Sequence, residues 1–193
     1  MEASSKYPLQ RTWVLWEMWD TRNTANFLDN MKIIGKFDTL WSFWQHWSNL
    51  PHADPSYLFT EESNMQKNFE GMTQPIEAIG IFEENIVPAW EDEVNKFGSD
   101  FSFKRPYNRE EIKNIWTRLA YALIGETFFM PEQITGIRIV DKGKVTKYEI
   151  WVRFDGKVDP SKNSEFEARI RELLPGIEIN VTDPGWSSHH HRV

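Results

Sequence analysis

The sequence predicts an α+β fold, and three observations carry that prediction. Its 193 residues are 40% hydrophobic, enough for one compact domain with a sizeable core. Segments of strand chemistry and segments with 3.6-residue apolar periodicity are interspersed along the chain. The turns between neighbouring strands are short, which favours antiparallel pairing over parallel βαβ units.

The elements follow in order. Thr12-Trp13-Val14-Leu15-Trp16 is aromatic and β-branched and reads as a strand. A polar loop from Asp20 to Asn26 separates it from a second strand at Lys32–Phe37. Asp38 or Thr39 then caps a short helix, with Leu40, Phe43, Trp44 and Trp47 at helical spacing. Residues 48–79 read as a long, mostly irregular insertion holding Pro51, Pro55 and Pro75, with Tyr57-Leu58-Phe59 as a candidate edge strand. Structureless loops of that length are unusual in a compact domain and are often functional or disordered. Ile79–Val87 and Phe101-Ser102-Phe103 return to strand chemistry. The clearest helix spans about Arg109–Glu126, with Asn108 and Glu111 as a capping-box pair and a stripe of Ile112, Ile115, Trp116, Leu119, Ala120 and Leu123. Gly136–Val140 and Lys147–Phe154 form two strands around the basic turn Asp141-Lys142-Gly143-Lys144. A last helix, roughly Pro160–Leu174, sets Phe166, Ile170, Leu173 and Leu174 on one face and stops before Pro175-Gly176. Ile177–Val181 alternates and closes the single domain, 1–193.

Composition narrows the function. The chain has no cysteine, which excludes disulfides and cysteine zinc sites. No apolar run approaches bilayer length, and the opening residues lack the apolar core of a secretory signal, so a cytoplasmic location is expected. A net charge of −7 argues against coating nucleic acid non-specifically, which needs a broad basic surface. Ten tryptophans are a heavy load for this length, and each ring must be packed or put to use.

Trp90-Glu91-Asp92-Glu93, after Pro88, is the most unusual tetrapeptide. Its bland reading is a loop with a half-buried indole and solvated acids. Its functional reading is a base-binding site, the indole stacking on a purine while Glu91 accepts from guanine N1–H and N2–H₂.

Tyr7-Pro8-Leu9-Gln10, Trp13, Leu15-Trp16, Lys36-Phe37-Asp38-Thr39 with Phe43-Trp44, Pro88 through Lys96, Trp116, Leu123-Ile124-Gly125-Glu126 and Ile150-Trp151 occur in a fixed order. In that order they resemble the eukaryotic translation initiation factor 4E family, as a divergent member. The resemblance covers Tyr7 to Trp151 and weakens beyond.

It implies a curved antiparallel sheet with three helices on the convex face and a pocket for the 7-methylguanosine cap of mRNA on the concave side. The methylated base is a cation, so stacking gains a cation–π component of roughly 0.5–2 kcal/mol per aromatic face. By resemblance Trp90 is one slice, Glu91 holds the guanine edge and Trp151 lies near the N7 methyl. The second slice, usually tryptophan, aligns with Phe27. One extra residue in the preceding loop leaves Trp19 as the alternative. The phosphate-binding positions fall on Lys142, Lys144 and Lys147, and another family arginine is replaced by Asp100. Val193 and His189-His190-His191 fall near the cap's second nucleotide or form a plain tail; adjacent histidines are not a metal site by spacing alone.

On the helical face, Pro8, Leu40, Trp44, Thr117 and Tyr121 match the family's docking surface for an amphipathic helix. The resemblance implies docking of a scaffold initiation factor of the 4G type, or of a repressor. Thr117, Arg118 and Tyr121 replace an aliphatic residue, an acid and a leucine, which predicts a partner unlike the common one. The expected role is cap binding in translation initiation by a monomer, without catalysis, cofactor or metal. The alternative is a cap-binding repressor that sequesters mRNA without productive scaffold recruitment. A cap hydrolase is disfavoured, since Glu91 and Glu93 lack a supporting acidic cluster and no phosphate-cradling glycine loop is present.

Overall fold

The aromatic run at the start extends well past its β-branched centre, and in the computed structural model, which describes residues 7–20, 27–156, 160–179 and 184–190, it becomes a twelve-residue strand. The strands are β1 (Pro8–Trp19), β2 (Met31–Thr39), β3 (Gln66–Phe69), β4 (Met72–Glu83), β5 (Ser99–Pro106), β6 (Ile134–Asp141), β7 (Val145–Val152) and β8 (Pro184–Ser188). They form one curved, wholly antiparallel sheet in the order β2-β1-β4-β6-β7-β5-β8, with β3 hairpinned onto β4. Three helices lie on its convex face: α1 (Leu40–Asn49), α2 (Arg109–Ile124) and α3 (Pro160–Leu173).

Period-two alternation sorts side chains between the faces. Trp13 and Leu15 of β1, Ile79 and Ile81 of β4, and Tyr148, Ile150 and Val152 of β7 join the helices in the main core. Met18, Ala78, Phe82, Val140 and Trp151 build a smaller cluster on the opposite face.

Local capping is close to the sequence expectation. Thr39, not Asp38, caps α1: its Oγ1 accepts from Ser42 N at 3.1 Å, and Ser42 Oγ accepts from Thr39 N at 3.1 Å. At α2, Asn108 Oδ1 accepts from Glu111 N at 3.0 Å. Glu111 does not close the expected box. Its carboxylate takes Arg105 instead, at 2.7 and 3.2 Å, because a charge-assisted fork outcompetes a neutral backbone N–H.

The 48–79 expectation needs correction, since this stretch is mostly ordered. Pro51–Ala53 and Pro55–Leu58 are short 3-10 turns, and β4 begins at Met72 rather than Ile79. Pro55 opens the second turn and Asp54 Oδ1 accepts from Ser56 N at 3.2 Å, so Tyr57-Leu58 coils instead of forming an edge strand, and of the expected three residues Phe59 alone pairs, in a single antiparallel bridge to Met65. Side-chain anchors hold the segment to the helical face. Trp116 Nε1 donates to the His52 carbonyl at 2.7 Å, His52 Nε2 meets Glu17 Oε1 at 2.8 Å, and Arg109 donates to the Phe59 carbonyl at 3.0 Å.

The end of the chain also departs from expectation. Ile177–Ile179 is not a strand; Ile177 and Ile179 pack against the main core instead. Asn180 and Val181 lie outside the described residues. The closing strand is β8, paired with β5, which Pro184-Gly185 disguises in the sequence.

Candidate functional site

The concave face holds a pocket of about 280 Å³. Met18, Glu77, Ala78, Arg138, Val140, Lys147 and Glu149 supply its floor and sides from β1, β4, β6 and β7. Pro88, Ala89, Trp90 and Glu91 form the wall from the β4–β5 loop, and Lys142 closes one end.

That loop is fastened from inside. Asp92 accepts from Val87 N and Val94 N, each at 2.9 Å, and buried Asn95 donates to the carbonyls of Val87 at 3.0 Å and Ala89 at 3.2 Å. Gly98 lets the loop return against β7, since a Cβ there would stand 2.1 Å from the Val152 carbonyl oxygen. The four residues of the acidic motif therefore divide their work. Asp92 shapes the loop and Glu93 pairs with Lys96 in solvent, while half-buried Trp90 and exposed Glu91 border the pocket.

The two candidates for the opposite slice fare differently. Phe27 starts a 3-10 turn, Phe27–Asn30, that enters β2 at Met31, and Met31 packs in the pocket-side cluster. The side chain of Phe27 lies outside what is described. Trp19 packs against the helix-side core, its Nε1 donating to Glu17 Oε2 at 2.9 Å, with Lys32 and Lys67 over its ring at 5.0 and 5.1 Å. It is not part of the pocket wall.

Trp151 lies behind the floor rather than on it. It is fully buried, edge-on to Phe82 at 5.4 Å and against His189 at 4.4 Å. The Arg138 guanidinium covers its ring at 4.8 Å. An expected contact at the N7 methyl therefore meets a ring whose face already holds a cation.

Of the expected phosphate-binding lysines, Lys142 and Lys144 are exposed on the β6–β7 turn. Gly143, at φ +75°, makes the turn, and Asp141 caps it by accepting from Gly143 N at 2.7 Å. Lys147 is different. Its Nζ lies 2.6 Å from Glu149 Oε1 and 3.8 Å from Asp100 Oδ2, and only 13% of its side chain is exposed. Arg138 and the Trp151 indole share the other Glu149 oxygen, at 2.7 and 3.0 Å. Burial pushes the Glu149 carboxyl up, but Arg138 and Lys147 outweigh it and hold the group well below the ordinary carboxylate range.

Arg138 and Glu149 did not emerge from the sequence. The alternation Lys147-Glu149-Trp151 would have put all three on one face once strand β7 was accepted. Asp100, at the position of a family arginine, is buried and faces His189 Nε2 at 3.2 Å. His189 is no plain tail: it is fully buried, and its Nδ1 donates to the Asn95 carbonyl at 2.9 Å. His190 lies against Phe97 at 5.9 Å, while His191 and Val193 fall outside the described residues.

On the helical face, Leu40, Trp44 and Tyr121 are exposed by 39%, 47% and 42% and stand together. The Trp44 and Tyr121 rings are 5.6 Å apart. Thr117 lies one turn before Tyr121 on α2, and Pro8 is exposed at the start of β1, where Tyr7 accepts from Leu40 N at 2.9 Å. Arg118 leans toward α3, donating to Asn114 Oδ1 at 2.7 Å and to the Leu173 carbonyl at 3.3 Å.

Known proteins agree with this architecture. The family model described as eukaryotic initiation factor 4E matches residues 8–193. The chain is 27% identical over 150 residues to eukaryotic translation initiation factor 4E of Dictyostelium discoideum, covering 77% of this chain and 53% of that protein. It is 26% identical over 180 residues to the Candida albicans factor, covering 90% and 76%. The chain thus spans about half the length of the first relatives it matches, 53% and 50%. Among solved structures, Ascaris suum eIF4E-3 in complex with the m7G cap superposes with a TM-score of 0.69 at 25% identity, covering 95% of this chain and 91% of that one. Caenorhabditis elegans eIF4E-3, complexed with the 4E-binding protein Mextli, shares the fold with a TM-score of 0.67 at 21% identity, covering 96% and 95%. The sheet, the helices and a match across nearly the whole sequence lead to one conclusion: this chain belongs to the eukaryotic initiation factor 4E family.

Proposed function

We propose that this protein binds the 7-methylguanosine cap of mRNA in translation initiation, as a cytoplasmic monomer that performs no chemistry on it. The observation that carries the reading is the pocket wall: Trp90 and Glu91 stand side by side on a loop fastened by Asp92 and Asn95. A preorganised indole and carboxylate suit a planar cation with two adjacent N–H donors. Ascaris suum eIF4E-3, 25% identical, is known with such a cap. Phe27 supplies the second slice, Trp151 backs the base, and Lys142, Lys144 and Lys147 form the phosphate end. No helix is long and apolar enough to cross a membrane among the described residues.

The exposed group of Leu40, Trp44 and Tyr121, with Pro8 and Thr117 beside it, docks an amphipathic helix of a scaffold initiation factor of the 4G type or of a repressor. A C. elegans family member is known with Mextli, and a schistosome one with 4E-BP.

Tryptophan fluorescence titrated with 7-methylguanosine and guanosine triphosphates tests the reading. The methylated compound should bind clearly tighter. Glu91→Ala should weaken it by roughly tenfold or more while the protein stays folded, since two base donors lose a charged acceptor. Equal binding by parent and variant would remove Glu91 from the guanine edge. Phe27→Ala should weaken binding and Phe27→Trp preserve or improve it.

A further inference from the structure

The phosphate end of the pocket carries a feature that cap binding alone does not require. Along β7, Lys147 and Glu149 line the pocket, Trp151 follows on the same face but packs behind its floor, and β5 sets Asp100 directly opposite Trp151. Glu149 stands at the centre of this patch. One oxygen takes Lys147 at 2.6 Å, and the other takes Arg138 at 2.7 Å and the Trp151 indole at 3.0 Å. Lys147, Arg138, Glu149 and Asp100 expose 13%, 12%, 3% and 1% of their side chains, so the contacts are largely shielded from water.

We propose that Glu149 is a specificity-determining residue: it holds Lys147 inside an ion-pair network, so the pocket selects 7-methylguanosine compounds by their base and gains little from the phosphate chain. The inference rests on the cap-binding reading above. A phosphate reaching Lys147 meets an ammonium whose charge Glu149 already offsets in a dry setting, and drawing that ammonium away would leave Glu149 Oε1 without its cation. It must also approach two carboxylates, Glu149 and Asp100, with little solvent between them. Lys142 and Lys144 remain at the turn, but exposed lysines hold an anion only weakly. The ligand class that follows is 7-methylguanosine with a short phosphate chain, or a capped end whose phosphates stay largely in solvent.

The test compares binding of 7-methylguanosine nucleoside, monophosphate and triphosphate by tryptophan fluorescence, for the parent, Glu149→Gln and Asp100→Asn. The quantity read is the gain in affinity from nucleoside to triphosphate within each protein. The parent should gain less than about tenfold, the scale of one charge-assisted contact. Glu149→Gln keeps the side-chain shape and an acceptor for Arg138 while removing the charge that holds Lys147. Its gain should rise by roughly tenfold and become more sensitive to salt. Asp100→Asn, which leaves the Glu149 contacts in place, should move the gain in the same direction by less, and serves if Glu149→Gln does not fold. A large gain in the parent that neither variant increases would overturn the proposal and leave cap binding standing. Failure of the parent to bind any of the three methylated compounds would remove both.

Discussion

Two buried glutamates, Glu17 and Glu149, stand on opposite faces of the same sheet and are built from the same parts. Each accepts an indole N–H from the tryptophan two residues on, Trp19 or Trp151, and each pairs with a lysine. Glu17 adds His52 at 2.8 Å, and Glu149 adds Arg138 at 2.7 Å. What surrounds them differs. The partners of Glu17, His52 and Lys67, come from the 48–79 segment, so its network fastens that segment to the sheet. The partners of Glu149 belong to β6 and β7 and line an open pocket, so its network governs which charges a ligand meets. One arrangement thus serves architecture where it joins separate segments and selectivity where it faces a cavity.

The largest expected effect comes from removing the architectural member. Glu17→Ala leaves His52 and Lys67 without their acceptor and should cost about 3–5 kcal/mol of unfolding free energy. Urea denaturation reads this directly. A change below 1 kcal/mol would break the contrast, because the segment would then be held by other contacts alone.

Acid provides the next effect. Burial pushes the Glu17 carboxyl up, but hydrogen bonds from His52, Lys67 and Trp19 overcome it and bring it from 4.5 to about 2. The folded value lies below the unfolded one, so the stabilisation is present above pH 4.5 and is lost as pH falls toward 2. The sign is the same for Glu149, whose value is also depressed. Together they predict a steep loss of stability below about pH 4.5, worth up to roughly 3 kcal/mol for Glu17 alone. Melting temperatures measured from pH 7 to pH 2.5 should show it, and Glu17→Gln should flatten the slope. An unchanged slope in the variant would mean other carboxylates carry the acid response.

The exposed aromatic face supplies a control without a buried charge. Trp44→Ala should leave both melting temperature and cap affinity near parental values while weakening an amphipathic helical peptide by about 2 kcal/mol or more. A helix with acidic residues opposite Arg118 should bind better than one with the family's usual tyrosine–leucine motif. Arg118→Glu should reverse that preference by about 1 kcal/mol, an effect that fades with salt. Calorimetric titration of both peptides separates the outcomes. If Trp44→Ala retains every peptide at parental affinity, the docking site lies elsewhere.

How much was legible beforehand varies with the kind of signal. The α1 and α2 positions followed from apolar spacing and from caps at Thr39 and Asn108, because helix ends are written in adjacent residues. The 48–79 segment misled because its order comes from anchors distant in sequence: Glu17 lies 35 residues from His52, and Trp116 lies 64 residues from it. β8 was missed because Pro184 and Gly185 argue against a strand, yet an edge position beside β5 tolerates both. For Lys147 the family resemblance gives a phosphate-binding position and nothing more, since nothing local announces that Glu149 and Asp100 converge on it.

The amino-acid sequence by itself determined the α+β class, the family and the acidic tryptophan loop, because each is carried by contiguous patterns: periodicity, caps and ordered motifs. Only the tertiary structure decided that Trp19 faces the helices, that Trp151 lies beneath Arg138, and that His189 belongs to the core. It also decided which lysines meet solvent and which meet a carboxylate. The physical reason is that burial and charge pairing depend on which strands lie side by side. In an antiparallel sheet, that register joins residues such as Arg138 and Glu149 through space rather than along the chain.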